Sequence, residues 1–137
     1  MKKLILIADD DAKHLTLLTD VLQAEGHTVV AAENGERAIE LARSERPNLM
    51  ILDVQMPLLD GFSAIKALKA VHETRSIPAI AITALAMDGD RERLLAAGFD
   101  GYLSKPISIR ELRVEVNRQL GGRLEQTETI APADPCR

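Results

Sequence analysis

The sequence predicts an α/β protein: a five-stranded parallel sheet with helices on both faces. Three observations lead there. Short runs of consecutive apolar residues alternate five times with stretches of helical period, the pattern of repeated βα units joined by right-handed crossovers. A run such as Leu4-Ile5-Leu6-Ile7-Ala8 lacks the in–out alternation of a strand with one wet face, as expected of strands covered on both sides. Finally, the runs end in chemistry-bearing residues: Asp9-Asp10-Asp11, Asp53, Thr83 and Ser104-Lys105. If the strands are parallel, all of these lie on the edge of the sheet where α/β proteins bind ligands.

Each element has its own justification. Residues 3–8 read as the first strand. From Ala12 to Glu25 the period changes, with Leu17, Leu18, Val21 and Leu22 taken as the apolar stripe and Gly26 as the stop. Residues 28–32 form a short second strand. Asn34 suits an N-cap for a helix carrying Ala38, Ile39, Leu41 and Ala42, and Arg46-Pro47 ends it. The strand at 49–53 passes through a loop holding Pro57 and Gly61 into a helix on Phe62, Ile65, Leu68 and Val71. A strand at 78–83 precedes a helix from about Asp88 to Ala97, closed by Gly98. The strand at 100–104 leads to a last helix from about Ser108 to Leu120, on Ile109, Leu112, Val116 and Leu120, with Gly121-Gly122 as its break. Residues 1–121 therefore read as one domain. Residues 122–137, rich in Thr, Glu, Pro and Ala without apolar period, read as a disordered tail.

Composition narrows the function classes. A chain of 137 residues can bury a core without covalent staples. Aromatics make up 2%, so that core must be aliphatic. A formal charge of −4 and the lack of a basic stripe with interleaved aromatics argue against a nucleic-acid surface. The single cysteine, Cys136, allows no intramolecular disulfide, which fits a cytoplasmic protein. No apolar stretch approaches the roughly 20 residues of a membrane span.

The edge residues carry the chemistry. Asp9, Asp10 and Asp53 converging on one edge would repel one another, and a cation removes that cost. Oxygen-only ligands in small number suggest Mg2+. An N-cap with first-turn acids accounts for one or two of the residues Asp9–Asp11, but not for Asp53, which precedes a loop. Asp53 suits a nucleophile that takes up a phosphoryl group as an acyl phosphate, and such a transfer needs charge neutralisation more than a base. Lys105, at a strand end, supplies a cation. Taken alone, a lysine before proline is a solvated loop residue; beside the acids it is a site residue. Thr83 either caps the next helix or meets a phosphoryl oxygen. Tyr102 should face away from Leu103, either as a half-buried ring or as a rotamer that reports on Thr83. His14, His27 and His72 show no ligand spacing and are assigned to surface or helix-face positions.

Four segments in order carry a family likeness: Ile7-Ala8-Asp9-Asp10-Asp11, Leu52-Asp53-Val54-Gln55-Met56-Pro57 through Gly61, Ile82-Thr83-Ala84, and Gly101-Tyr102-Leu103-Ser104-Lys105-Pro106. Over about residues 3–120 the chain resembles the CheY-like receiver domain of two-component response regulators, and most of all single-domain regulators of the DivK kind. The resemblance implies a flavodoxin-like sheet of order 2-1-3-4-5. It implies Asp53 as phosphoacceptor, Asp10 as a direct and Asp9 as a water-mediated Mg2+ ligand, and the backbone carbonyl of Gln55 as a further one. Lys105 would bind the phosphoryl group, Thr83 and Tyr102 would form the switch pair, and the Lys105-Pro106 bond would be cis. The implied partners are a histidine kinase or histidine phosphotransfer protein and a downstream protein target. No membrane or nucleic acid is implied, and the chain would be a monomer or a weak phosphorylation-dependent dimer. Leu15, taken as lying off the core stripe, is a candidate partner contact.

Four other readings compete. A haloacid-dehalogenase-like phosphohydrolase would carry a second acid where Gln55 stands. A phosphorylation-independent binding module would not need the full set of acids, Thr83 and Lys105. The remaining two are a receiver piece of a hybrid kinase and a phosphorelay intermediate.

Overall fold

The computed structural model describes residues 3–56, 59–84 and 90–125. Five strands alternate with five helices: β1 Leu4–Ala8, α1 Ala12–Ala24, β2 Thr28–Ala32, α2 Gly35–Glu45, β3 Leu49–Asp53, α3 Gly61–Lys69, β4 Ala79–Thr83, α4 Asp90–Ala97, β5 Gly101–Ser104 and α5 Ile109–Glu125. All strands pair in parallel, in the order β2-β1-β3-β4-β5. The order reverses between β1 and β3, so the crevice outside their C-terminal ends is the topological switch point where such sheets take ligands.

Alternate residues of each inner strand enter opposite cores. Leu6, Ala8, Met50, Leu52, Ala79 and Ala81 pack with Ala38, Ala42, Ala64, Ile65, Leu68 and Leu94 from α2, α3 and α4. Ile5, Ile7, Leu49, Ile51, Ile80 and Ile82 pack with Leu18, Val21, Leu22, Leu112 and Val116 from α1 and α5. Every residue of β3 and β4 is buried, which explains their unbroken apolar runs.

The caps are legible in the chain. Asn34 accepts the Arg37 N–H at 2.9 Å, Gly26 and Gly98 take positive φ after α1 and α4, and Arg46 ends α2 in the left-handed region at φ 48°. Four details depart from the sequence expectation. On α1 the stripe is turned: Leu15 packs against the core, whereas Leu17 is exposed. Ile109, expected inside, is exposed at the start of α5. The α3 helix stops at Lys69, before Val71. There the carbonyl of Leu68 accepts from the buried Thr74 hydroxyl at 2.6 Å, and Lys69 Nζ donates to the carbonyls of Arg75 and Ile77 at 3.0 and 2.9 Å. Side chains thus satisfy the helix end and the turn that follows it. Finally, α5 runs through Gly121-Gly122 to Glu125. Glycine in a helix costs about 1 kcal/mol relative to alanine; it ends the helix where the chain turns left-handed, and Gly121 is not among the positive-φ glycines. Residues 126–137 of the expected tail, and Asp88, lie outside the described residues. Among the described residues no helix is long and apolar enough to cross a membrane.

His27, between α1 and β2, has a buried Nδ1 without a hydrogen-bond partner among the described residues. Burial, aided by Lys3 and opposed by Glu25, holds its pKa below the ordinary 6.5. The folded state therefore prefers the neutral ring. The stability this contributes is complete above pH 6.5 and is lost as pH falls from there towards the lowered value. Denaturation midpoints measured from pH 7.5 to 5 should fall over that window, and fall less in His27→Gln. Parallel curves for the two proteins would remove His27 as the cause.

Candidate functional site at the carboxyl edge of the sheet

The site begins where β1 ends. The Asp9 N–H continues the ladder to the Ala32 carbonyl at 3.1 Å, and its side chain is fully buried. Asp9 Oδ1 accepts the Asp11 N–H at 2.9 Å. Asp11 is the N-cap of α1, its carboxylate accepting the Lys13 N–H at 3.0 Å and the His14 N–H at 3.4 Å. Capping therefore accounts for one acid of the three and leaves Asp9 and Asp10 without that explanation.

Asp53 closes β3 and is 1% exposed. One of its oxygens accepts the Gln55 N–H at 2.8 Å and the other accepts from Lys105 Nζ at 2.7 Å. Asp9, Asp10 and Asp53 each present an oxygen within 4.8 Å of the others. Burial opposes the charge of Lys105, but the hydrogen bond and charge of Asp53, with Asp9 and Asp10, outweigh it and raise its pKa. Lys105 reaches this position because its N–H bonds the Thr83 carbonyl at 2.8 Å, extending the β4–β5 pairing by one residue. The Lys105-Pro106 peptide bond is cis. Thr83, the last residue of β4, is fully buried and lies in register with Ser104. Tyr102 is 38% exposed while Leu103 points inward; the ring lines an open groove of about 730 Å³ against α5, beside Ser108 and Val114.

Two residues outside the expected set shape this edge. His14 Nδ1 lies within hydrogen-bond reach of Asp9 Oδ2, although the sequence assigned it a surface or helix-face role. It occupies the third position of α1, where side chains lean back towards the helix N-terminus; that geometry was the available signal. Gly61 is the other. A Cβ there would lie 2.6 Å from the Asp53 carbonyl oxygen and 2.7 Å from Val54 Cα, closer than such atoms come. Both neighbours are backbone, so Gly61→Ala must displace the end of β3. The expected cost is about 1–3 kcal/mol; a denaturant midpoint equal to wild type would refute this account.

The donor set fits a hard divalent cation: all oxygen, three carboxylates, and a charge excess that Lys105 only partly offsets. Asp10 is exposed and its carboxylate adds repulsion to Asp9 and Asp53. Asp10→Asn should therefore raise the melting temperature of the metal-free protein by a few degrees while flattening its response to added Mg2+. Melts with chelator and with Mg2+ test both signs; an undiminished Mg2+ response would clear Asp10 of a ligand role.

Fold and edge together define an open α/β protein with a carboxylate-and-lysine centre at its switch point. Comparison with known proteins makes the class specific. Residues 5–117 match the response regulator receiver domain model, and the chain belongs to that family. It is 39% identical over 121 residues to the polar-differentiation response regulator DivK of Brucella anthropi, covering 88% of this chain and 98% of that protein. Among solved structures it is similar to the receiver domain of the sensor histidine kinase PA1611 from Pseudomonas aeruginosa, which has a magnesium ion coordinated in its active-site cleft. That match has 34% identity and a TM-score of 0.81, over 88% of this chain and 99% of that one. It is also similar to the chemotaxis protein CheY4 of Vibrio cholerae, with 27% identity and a TM-score of 0.82 over 88% and 100% of the two chains. The flavodoxin-like order 2-1-3-4-5 agrees with these neighbours. The chain is thus a response regulator receiver, a signalling component of two-component systems.

Proposed function

We propose that this receiver is switched by phosphorylation of Asp53, with a histidine kinase or histidine phosphotransfer protein as donor and Mg2+ as cofactor. One observation carries the assignment. Asp53 is a buried carboxylate whose two oxygens meet the Gln55 N–H and Lys105, with Asp9 and Asp10 beside it. Asp9, Asp10, Asp53 and the backbone carbonyl of Gln55 would hold the ion, which when bound supplies positive charge against the phosphoryl oxygens. A carboxylate oxygen of Asp53 attacks phosphorus, the bond to the donor's histidine nitrogen breaks, and an acyl phosphate forms. Lys105 Nζ, already on the attacked carboxylate, transfers its hydrogen bond to the incoming oxygens. Thr83, buried at the end of β4, then donates a hydrogen bond from its hydroxyl to a phosphoryl oxygen, and Tyr102 moves from its half-exposed position towards the space vacated. The surface of α4, β5 and α5 thereby changes between two states with biased populations.

On this reading the protein is a stoichiometric switch rather than an enzyme with turnover, and it acts in the cytoplasm through protein partners. It is a monomer or a weak phosphorylation-dependent dimer, without a nucleic-acid or membrane role. The 39% identity to DivK supports the single-domain regulator reading. Intact mass after incubation with acetyl phosphate and Mg2+ should show one added phosphoryl group, and chelator should suppress it. Steady consumption of the donor without an adduct would instead indicate catalytic hydrolysis.

A further inference from the structure

We propose that His14 is a positioning residue for the acid cluster: its imidazole holds the buried Asp9 carboxylate in the orientation that a divalent cation uses. The inference rests on the Mg2+ reading of Asp9, Asp10 and Asp53 given above, and it adds a residue from α1 to a site otherwise built at strand ends.

Asp9 is fully buried, so each of its oxygens needs a donor or a cation. Oδ1 has the Asp11 N–H at 2.9 Å, and Oδ2 has His14 Nδ1. An ionised carboxylate can only accept, so Nδ1 carries the hydrogen. With a donor on each oxygen, the carboxylate is fixed against rotation. The lone pairs left over are those it can offer towards Asp10 and Asp53, whose oxygens lie within 4.8 Å.

His14 is itself well held. Its backbone N–H and that of Lys13 face the Asp11 cap, and its side chain is 16% exposed. One residue on, Leu15 packs into the core beneath α1, as does Leu18. The helix start thus acts as a rigid template that presents one imidazole nitrogen to one carboxylate oxygen. Partners that orient metal ligands in this way typically change metal affinity by about 10- to 100-fold when removed.

A plainer role is possible on the same geometry: His14 satisfies a buried acid and supports the fold alone. The two roles separate by substitution. Asparagine carries an amide nitrogen the same number of bonds from the backbone as Nδ1 and can donate from it. Leucine fills similar space without a donor.

The test is a Mg2+ titration of the full chain, without phosphodonor, followed by amide chemical shifts, on wild type, His14→Leu and His14→Asn. Melting temperatures are taken in chelator alongside. His14→Leu should raise the Mg2+ Kd by about tenfold or more, and His14→Asn should stay within about threefold of wild type. If His14→Leu lowers the metal-free melting temperature and leaves the Kd unchanged, His14 supports the fold only and the proposal is overturned. Tighter Mg2+ binding by His14→Leu also overturns it, since the imidazole would then compete with the ion. Should His14→Leu fail to fold, His14→Gln takes its place: with its amide one methylene further out it should bind more weakly than His14→Asn, and equal affinities overturn the proposal. Wild type without a Mg2+ response would overturn the metal reading and this inference with it, whereas a normal wild-type titration with unaffected variants removes His14 alone.

Discussion

Asp53→Asn is expected to abolish the phosphoryl adduct, a fall of at least about a thousandfold in the rate of uptake from acetyl phosphate. The amide keeps the shape of the side chain and removes the nucleophilic oxygen. Its effect on the fold should be small because two changes oppose each other. The carboxylate now accepts from both Gln55 N–H and Lys105 Nζ; an asparagine has one oxygen, so one of these donors loses its partner, at about 1–3 kcal/mol. Against this, one of three mutually repelling carboxylates is removed from the cluster. The time course of intact mass, read beside a thermal melt, checks both halves. A variant that folds normally and still gains one phosphoryl group would move the acceptor to another residue.

How far the site could be read from the sequence follows from what the sheet does to its residues. Strands β3 and β4 are buried along their whole length, so they show as unbroken apolar runs, and their last residues are placed at one edge by topology alone. Asp9, Asp53, Thr83 and Lys105 needed only that logic. Helix faces were harder. Leu15, Leu17 and Leu18 crowd one turn of α1, and the helical period does not say which of them begins the stripe; packing onto Ile5 and Ile7 chose Leu15 and Leu18. The Gly121-Gly122 pair looked like a stop because glycine tolerates the left-handed cap, but Gly121 does not adopt it. The spacing of the three histidines from one another does not reveal His14. Its meaning comes from its distance along the chain to Asp9, across a capped turn that aims the ring backwards.

Lys105→Met carries the second largest effect, and its value is that it separates two cations that a loss-of-function variant would confuse. The Asp53–Lys105 contact of 2.7 Å joins a buried acid to a lysine whose side chain is about a third exposed, at 32%. Breaking a fully buried pair costs about 3–5 kcal/mol; with the lysine partly in water, about 1–3 kcal/mol is expected here. The metal-free protein should therefore melt lower. Removing Lys105 also leaves the acid cluster more negative and frees the oxygen of Asp53 that the ammonium occupies, so Mg2+ should bind as tightly as in wild type or more tightly. The difference in melting temperature should accordingly narrow as Mg2+ is added. Phosphoryl uptake should nonetheless fall by about a hundredfold, the usual consequence of losing one positioned donor to developing negative charge. Weaker metal binding together with slower uptake would mean that the whole edge had collapsed. Uptake at the wild-type rate would reduce Lys105 to a counterion for Asp53, and the phosphoryl oxygens would then have to find their stabilisation in the metal ligands and Thr83.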